Sequence, residues 1–199
     1  MTATPKVKPP LRSRSIRVLA AVAAAVFALV AASAAPVQAS HSGDFAGGPP
    51  DNATHYVKNI SLTGYASQAT THGITQIDRS VMNATYADGP EIDVHVYDAY
   101  YGRTGAWAGM AGYANCQEDE WWWDGDCNVY RVRYNLSYAA SFSWARWQSL
   151  GCHELGHTTG LAHRSAANDT DNNSCMRSTV LASRPRFDSH DLDAINALF

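Results

Sequence analysis

The stretch GCHELGHTTGLAH, residues 151–163, gathers three of the eight histidines of this chain with one glutamate and three glycines. His153 and His157 are four residues apart, so on a helix they stand one turn apart on the same face. Two imidazoles in this arrangement can bind one Zn²⁺ ion, with nitrogen-to-metal distances of about 2.0–2.1 Å. Glu154 projects to the side of this pair, where it is well placed to take a proton from metal-bound water.

The residues after His157 extend this pattern toward a catalytic site. Gly160 can adopt a positive φ without steric cost, which would end the helix and turn the chain sharply. The turn lets His163 return as a third ligand, leaving the fourth position open for water and substrate, as a catalytic zinc requires. The spacing predicts zinc ligands His153, His157 and His163, with Glu154 as general base. The alternative is a pair of solvated histidines on an exposed helix, which the further glycine and histidine make a poorer explanation.

The elements that must position these residues follow from the hydrophobic pattern. Alternating or helically spaced apolar residues predict strands and helices in the order of an α+β domain. On the ligand-bearing helix, Trp144 and Trp147 are predicted to face the core. The expected elements are a strand at residues 55–62, a helix from Tyr65 to just before Asp88, a strand around residues 92–97, a bulged strand within residues 105–116, a strand at residues 130–136, the ligand-bearing helix at residues 143–158, and a last helix from about Ser189, capped by Asp188 or Ser189.

The first 39 residues have the order of a secretory signal peptide. Five basic residues and no acid precede an Ala-rich apolar run, and small residues end the segment at Ala39. The alternative is a membrane anchor, since the apolar run is just long enough to span a bilayer. We expect a signal peptide at residues 1–39, an extended lead-in at residues 40–54 and one catalytic domain at residues 55–199. The mature protein is therefore expected to be secreted and extracellular.

The charge of the mature chain limits its partners. Removing residues 1–39 leaves 10 basic against 18 acidic residues, a formal charge of −8. Such a surface suits neither nucleic acid nor anionic lipid, so neither is expected as a partner. No remaining segment is apolar for long enough to cross a membrane, and we expect a monomer without stable membrane association once the signal is cleaved.

Four cysteines in an exported chain indicate disulfide bonds. Cys116 and Cys127 flank a short polar loop and pair most economically with each other, which leaves Cys152 for Cys175. The two other pairings would tie the polar loop to the histidine segment, and the sequence leaves them open.

Two segments of this sequence resemble a known family. HELGHTTGLAH, residues 153–163, matches the metzincin signature HExxHxxGxxH at every specified position, and NSCMR, residues 173–177, resembles the Met-turn that follows it. The resemblance is to matrixin-like zinc metalloproteases. It implies a twisted mixed β-sheet with a long helix and an active-site helix, followed from about residue 164 by a small irregular subdomain that ends in a helix.

The resemblance also implies a function and further site residues. The protein is expected to be a secreted zinc endopeptidase acting on proteins or peptides, with Met176 as an apolar floor beneath the three imidazoles. The substrate would lie extended along an edge strand at residues 109–114, with Met110, Ala111 and Gly112 at its centre, and residues 178–181 would wall a specificity pocket. An ordinary glycine-rich loop at residues 109–114 is an equal alternative.

Two alternative interpretations of the sequence are a Ca²⁺ site and a function without catalysis. The polar loop at residues 117–126 holds three adjacent tryptophans and several carboxylates that could hold Ca²⁺. No spacing like that of a known Ca²⁺ loop supports this, so a solvated loop is favoured, and Asp169 and Asp171 are interpreted in the same way. The five other histidines lack metal spacing and are interpreted as surface or hydrogen-bonded residues. The alternative function is a zinc-stabilised extracellular binding module derived from a protease, in which Glu154 would be dispensable.

Overall fold

A computed structural model describes residues 48–119, 125–164, 173–180 and 182–199 of the chain. The predicted signal peptide, most of the lead-in, the three adjacent tryptophans, and Asp169 and Asp171 lie outside the described residues. The predicted domain boundaries therefore stay predictions.

A five-stranded mixed sheet forms the centre of the fold. Three of the four strand pairings are parallel, and the fourth, at one edge of the sheet, is antiparallel. The strands are β1 Thr54–Ile60, β2 Asn83–Tyr86, β3 Val94–Ala99, β4 Gly112–Asp119 and β5 Cys127–Asn135, and their order across the sheet is β2-β1-β3-β5-β4. The edge strand β4 is therefore paired on one side only within this sheet.

In the described part of the chain, four α-helices accompany the sheet. They are α1 Gly64–Ile77, α2 Leu136–Ala139, α3 Trp144–His157 and α4 Ser189–Asn196, and a short 3₁₀ turn occupies Gly105–Trp107. A Cβ atom on Gly151 of α3 would lie only 2.1 Å from the carbonyl oxygen of Ala69 on α1. The two long helices thus touch backbone to backbone, which sets α3 firmly against the core. Together the sheet and helices confirm the predicted α+β class.

The predicted first helix is too long in its second half. The helix ends at Ile77, and residues predicted as its continuation form β2 instead. The backbone N–H of Ala84 donates to the Asp78 carboxylate at 2.8 Å, and β2 then pairs in parallel with β1. Val81, which the helical spacing would bury, is 56% exposed. Pairing with β1 therefore outweighed the helical spacing of the apolar residues after Ile77.

Two further expectations need correction. The predicted bulged strand at residues 105–116 is a 3₁₀ turn followed by β4, which begins at Gly112 and carries its irregular register near Cys116 and beyond. On α3, Trp147 is buried as predicted, but Trp144 is 36% exposed and stacks on Tyr65. Trp144 is the first residue of α3 and lies at the margin of the core.

Candidate metal centre

The three predicted ligands converge on one point. The Nε2 atoms of His153 and His157 are 3.2 Å apart, those of His157 and His163 are 3.2 Å apart, and those of His163 and His153 are 3.1 Å apart. Nitrogens bound tetrahedrally to zinc at about 2.0–2.1 Å stand about 3.3 Å from one another. The triangle of ring nitrogens therefore fits a single zinc-sized ion.

Backbone carbonyls fix the orientation of two of these rings. Nδ1 of His153 donates to the carbonyl of Cys175, and Nδ1 of His157 donates to the carbonyl of Leu161, each at 2.7 Å. A carbonyl can only accept, so in the neutral rings the proton sits on Nδ1 and the lone pair on Nε2. This is the arrangement by which proteins hold and orient metal-binding histidines.

Burial keeps the imidazoles of His153 and His157 neutral. It lowers the pKa of His153 to about 4, and it lowers the pKa of His157 well below the ordinary value. Neighbouring histidines push both pKa values further in the same direction. The pKa of His163, which lies at the open side of the cleft, is also lowered by burial. Neutral imidazole is the form that binds metal, so the protein offers the correct form near neutral pH.

Glu154 is almost completely buried, at 3% exposure, and burial raises its pKa to about 8. A cation bound beside it would lower this pKa and favour the carboxylate. Its side chain lies against Gly112 of the edge strand, where an added Cβ would meet Oε1 at 2.3 Å. A glycine at this position therefore leaves the space that the Glu154 carboxylate occupies.

Met176 packs against the C-terminal turn of α3 at Gly156, which lies between His153 and His157 in the sequence. A Cβ on Gly156 would lie 2.3 Å from its Sδ atom, and Met176 is fully buried. The backbone N–H of Met176 donates to the Ser174 hydroxyl at 2.8 Å. A disulfide joins Cys152 to Cys175 with 6.0 Å between Cα atoms, so the residue before Met176 is covalently tied to the residue before His153.

An ion pair that the sequence does not indicate holds Arg164, the residue after the third predicted ligand. The guanidinium of Arg164 donates to both carboxylate oxygens of Asp188, at 2.9 and 2.7 Å, and its backbone N–H donates to the carbonyl of Met176 at 2.8 Å. Asp188 is also the N-cap residue of α4, where it forms a capping box with Asp191. The capping signal is visible in the sequence, whereas the contact with Arg164 spans 24 residues and has no local pattern.

These residues open onto a cleft of about 550 Å³ between α3 and the edge strand. The predicted substrate strand lies along it, although only its second half is regular strand: Met110 and Ala111 precede β4, and Gly112 begins it. The predicted wall at residues 178–181 lines the cleft through Ser178, Thr179 and Val180, and Leu181 lies outside the described residues. The full lining is Gly109, Met110, Ala111, Gly112, Tyr113, Ala114, Arg146, His153, Glu154, His157, Ala162, His163, Ser178, Thr179 and Val180.

The second disulfide joins the two strands at the sheet edge. Cys116 of β4 and Cys127 of β5 are bonded with 5.8 Å between Cα atoms. Both disulfides are the pairings that the sequence favoured. Among the described residues, the histidine, cysteine and acidic side chains grouped closely enough to hold a metal are His153, His157 and His163. The tryptophans and some of the carboxylates considered for Ca²⁺ fall outside that part of the chain.

Comparison with known proteins finds similarity in structure only. No family model and no curated protein matches the sequence. Among solved structures, one of myroilysin aligns with 76% of this chain and 82% of its own, with 9% identity and a TM-score of 0.49. A second myroilysin structure aligns with 58% of this chain and 46% of its own, with 11% identity and a TM-score of 0.38.

One finding bears on membrane association. Over the ranges that the structure describes, no helix is both long enough and apolar enough to cross a membrane.

Proposed function

We propose that this protein is a secreted zinc-dependent endopeptidase of the metzincin type. The observation that carries the proposal is the triangle of three Nε2 atoms, all within 3.2 Å of one another, in the same cleft as the buried Glu154. The match to HExxHxxGxxH and the buried Met176 beneath α3 support the family assignment. Gly160 has a φ of +84°, which supports its role as the turn that returns His163 to the metal.

The metal ligands and Glu154 have separate roles in the proposed reaction. When bound, zinc supplies a Lewis acid and lowers the pKa of its water to about 7. His153, His157 and His163 hold the ion, each through Nε2. Glu154 accepts a proton from the attacking water and donates it to the leaving amine as the peptide bond breaks. Its burial excludes bulk water, so the proton is retained until it reaches the amine.

The edge strand is proposed to bind the substrate backbone. An extended peptide can pair with the outer edge of β4, because this strand is paired with β5 on its other side only. Gly112 would bring such a peptide close to Glu154, since this residue has no side chain to separate the two. A protein or peptide substrate is therefore proposed, bound by a monomer.

Export is proposed on two grounds. The N-terminal segment has the pattern of a signal peptide, and both disulfides are formed. Disulfides persist in oxidising compartments and are rare in reducing ones. We propose an extracellular location, which N-terminal sequencing of the exported protein would test.

The test of activity combines metal analysis with digestion of a mixed protein substrate. The purified protein should contain close to one zinc per chain, and a chelator should abolish cleavage that added Zn²⁺ restores. Mass spectrometry of the digest would read the cleavage sites in the same experiment. Absence of zinc, or cleavage indifferent to the chelator, would rule the proposal out.

A further inference from the structure

One side of the cleft carries a fixed positive charge that the proposed chemistry does not use. Arg146 lines the cleft from the N-terminal half of α3, seven residues before His153. Seven residues are almost two helical turns, so the two side chains lie on the same face, about 10 Å apart along the helix axis. Arg146 therefore lies on the same side of the helix as the metal ligands but beyond reach of the metal.

The guanidinium rests on an aromatic platform. Its central carbon lies 3.8 Å from the centroid of the Phe142 ring, and Phe142 in turn packs edge to face on the buried Trp147 at 6.4 Å. Stacking on a ring attracts the cation and limits its freedom of movement. It also leaves the in-plane N–H groups available for a carboxylate.

Among the residues that the structure describes, no acidic side chain forms an ion pair with this cation. Over the residues that the structure describes, the ion pairs involve Lys58 and Arg164 but not Arg146. The acidic residue among those lining the cleft is Glu154, which is buried against Gly112. The positive charge also stands in contrast to the formal charge of −8 on the mature chain, which would otherwise repel acidic peptides.

We propose that Arg146 makes the cleft selective for peptides with an acidic side chain within about three residues of the bond that is cut. An extended peptide advances about 3.3 Å per residue, so three residues cover the 10 Å between the metal ligands and Arg146. The guanidinium would bind the substrate carboxylate through paired N–H groups. This proposal rests on the proposed endopeptidase activity and names its substrate class.

The test begins with the cleavage sites that the zinc-loaded enzyme selects from a mixed peptide library. Peptides with Glu at the preferred position are then compared with the same peptides carrying Gln. The wild-type protein should cleave the Glu peptides with about tenfold higher kcat/KM, because a charged pair is stronger than a neutral one but is partly screened in an open cleft. Arg146→Gln should remove this preference, Arg146→Lys should keep part of it, and Arg146→Glu should reverse it in favour of a Lys peptide.

Lys58→Gln serves as the control, because it removes one positive charge that lies outside the cleft lining. It should leave the ratio between Glu and Gln peptides unchanged. A wild-type enzyme without acidic preference would overturn the proposal, as would an Arg146→Gln variant that slows both peptides equally.

A binding measurement separates this proposal from the endopeptidase activity. Calorimetry with the Glu154→Gln protein should show tighter binding of Glu peptides that disappears when Arg146→Gln is added. Binding of this kind without any cleavage by the wild-type protein would support acidic recognition while removing the proposed activity. Cleavage without charge preference would leave the activity standing and remove acidic recognition. Neither cleavage nor binding would remove both.

Discussion

The two sides of the cleft, one built around a helix and one around a strand, differ in the kind of group that they contribute. The helix side consists of α3, residues 161–164 and residues 173–176, and there the functional groups are side chains. His153 and His157 donate to backbone carbonyls, and a disulfide joins the residues that precede His153 and Met176. The strand side, residues 109–114, has no charged side chain.

In the proposed mechanism, this difference separates catalysis on the helix side from substrate positioning on the strand side. On the helix side the identity of each side chain matters, because a ligand or a base cannot be replaced by a residue of similar size. On the strand side the size of the side chain matters, because the backbone must come close to Glu154. The two sides should therefore respond to mutation in different ways, and the following changes test that expectation.

The largest effect is expected for Glu154→Gln on the helix side. The amide has nearly the same shape but cannot accept the proton, so kcat should fall by several orders of magnitude. Zinc content and melting temperature should stay close to those of the wild type, because Glu154 is not one of the three converging ligands. Metal analysis, thermal unfolding and peptide cleavage on the same preparation check this. Cleavage at near wild-type rate would disprove the role of Glu154 as the general base.

The next largest effect is expected for Gly112→Ala on the strand side. The added methyl would overlap the Glu154 carboxylate, so either the base or the strand must shift. A displacement of about 1 Å at a reacting group can cost about a hundredfold in rate, and we expect a loss of kcat of that order with zinc retained.

Gly89→Ala is the matched control for this change, because the structure shows open space where its methyl would lie. Its kcat should equal that of the wild type. A Gly112→Ala enzyme with unchanged kcat would show that the strand side does not approach the base as closely as the structure indicates.

The two disulfides offer a third test, since one lies on the helix side and the other joins β4 to β5 just beyond the strand side. Replacing Cys152 and Cys175 by serine should destabilise the fold by about 3 kcal/mol, the contribution of a closed loop of some twenty residues. It should also weaken zinc binding, because the bond holds Met176 and the carbonyl that orients His153. Replacing Cys116 and Cys127 by serine should lower the melting temperature and leave zinc affinity unchanged.

Zinc affinity by chelator competition and melting temperature by calorimetry would distinguish these outcomes. Equal loss of zinc affinity in both double variants would contradict a local role for the Cys152–Cys175 bond. Unreduced peptide mapping should first confirm the two pairings in the wild-type protein.

The contrast between the two sides also explains what the sequence could predict. The ligand helix, predicted at residues 143–158, spans Trp144–His157, because its periodicity and the glycine that follows it are local signals. The ligand triangle follows from spacing on that helix and one turn. The sequence predicts the strand side and β2 less well, because a short strand forms only by pairing with residues that are distant in the sequence. The contacts of Arg164 with Asp188 and of Gly112 with Glu154 likewise depend on tertiary packing, which no local pattern encodes.

The smallest effect concerns His55, which ties the helix side to the sheet. Its Nε2 atom donates to the carbonyl of Thr158 at 2.9 Å, at the end of α3, and the side chain is 1% exposed. Burial lowers the pKa of His55, partly offset by its hydrogen bond to Thr158 and by Asp93. The neutral ring is therefore favoured in the folded protein, whereas in the unfolded chain it takes up a proton near pH 6.5.

The stabilisation that comes from a neutral His55 is thus present above pH 6.5 and is lost as the pH falls through 6.5 toward the lowered folded pKa. One such group changes the free energy of unfolding by at most about 1.4 kcal/mol per pH unit. We expect zinc-saturated wild-type protein to lose more stability between pH 7.5 and 5.5 than His55→Gln, whose amide can still donate to Thr158 but does not titrate. Denaturant unfolding of both proteins at several pH values would measure the difference, and parallel pH curves would contradict it. Because this contact supports the end of α3 and not the metal directly, the variant should keep its zinc at neutral pH, where a Glu154→Gln protein keeps zinc but loses its activity.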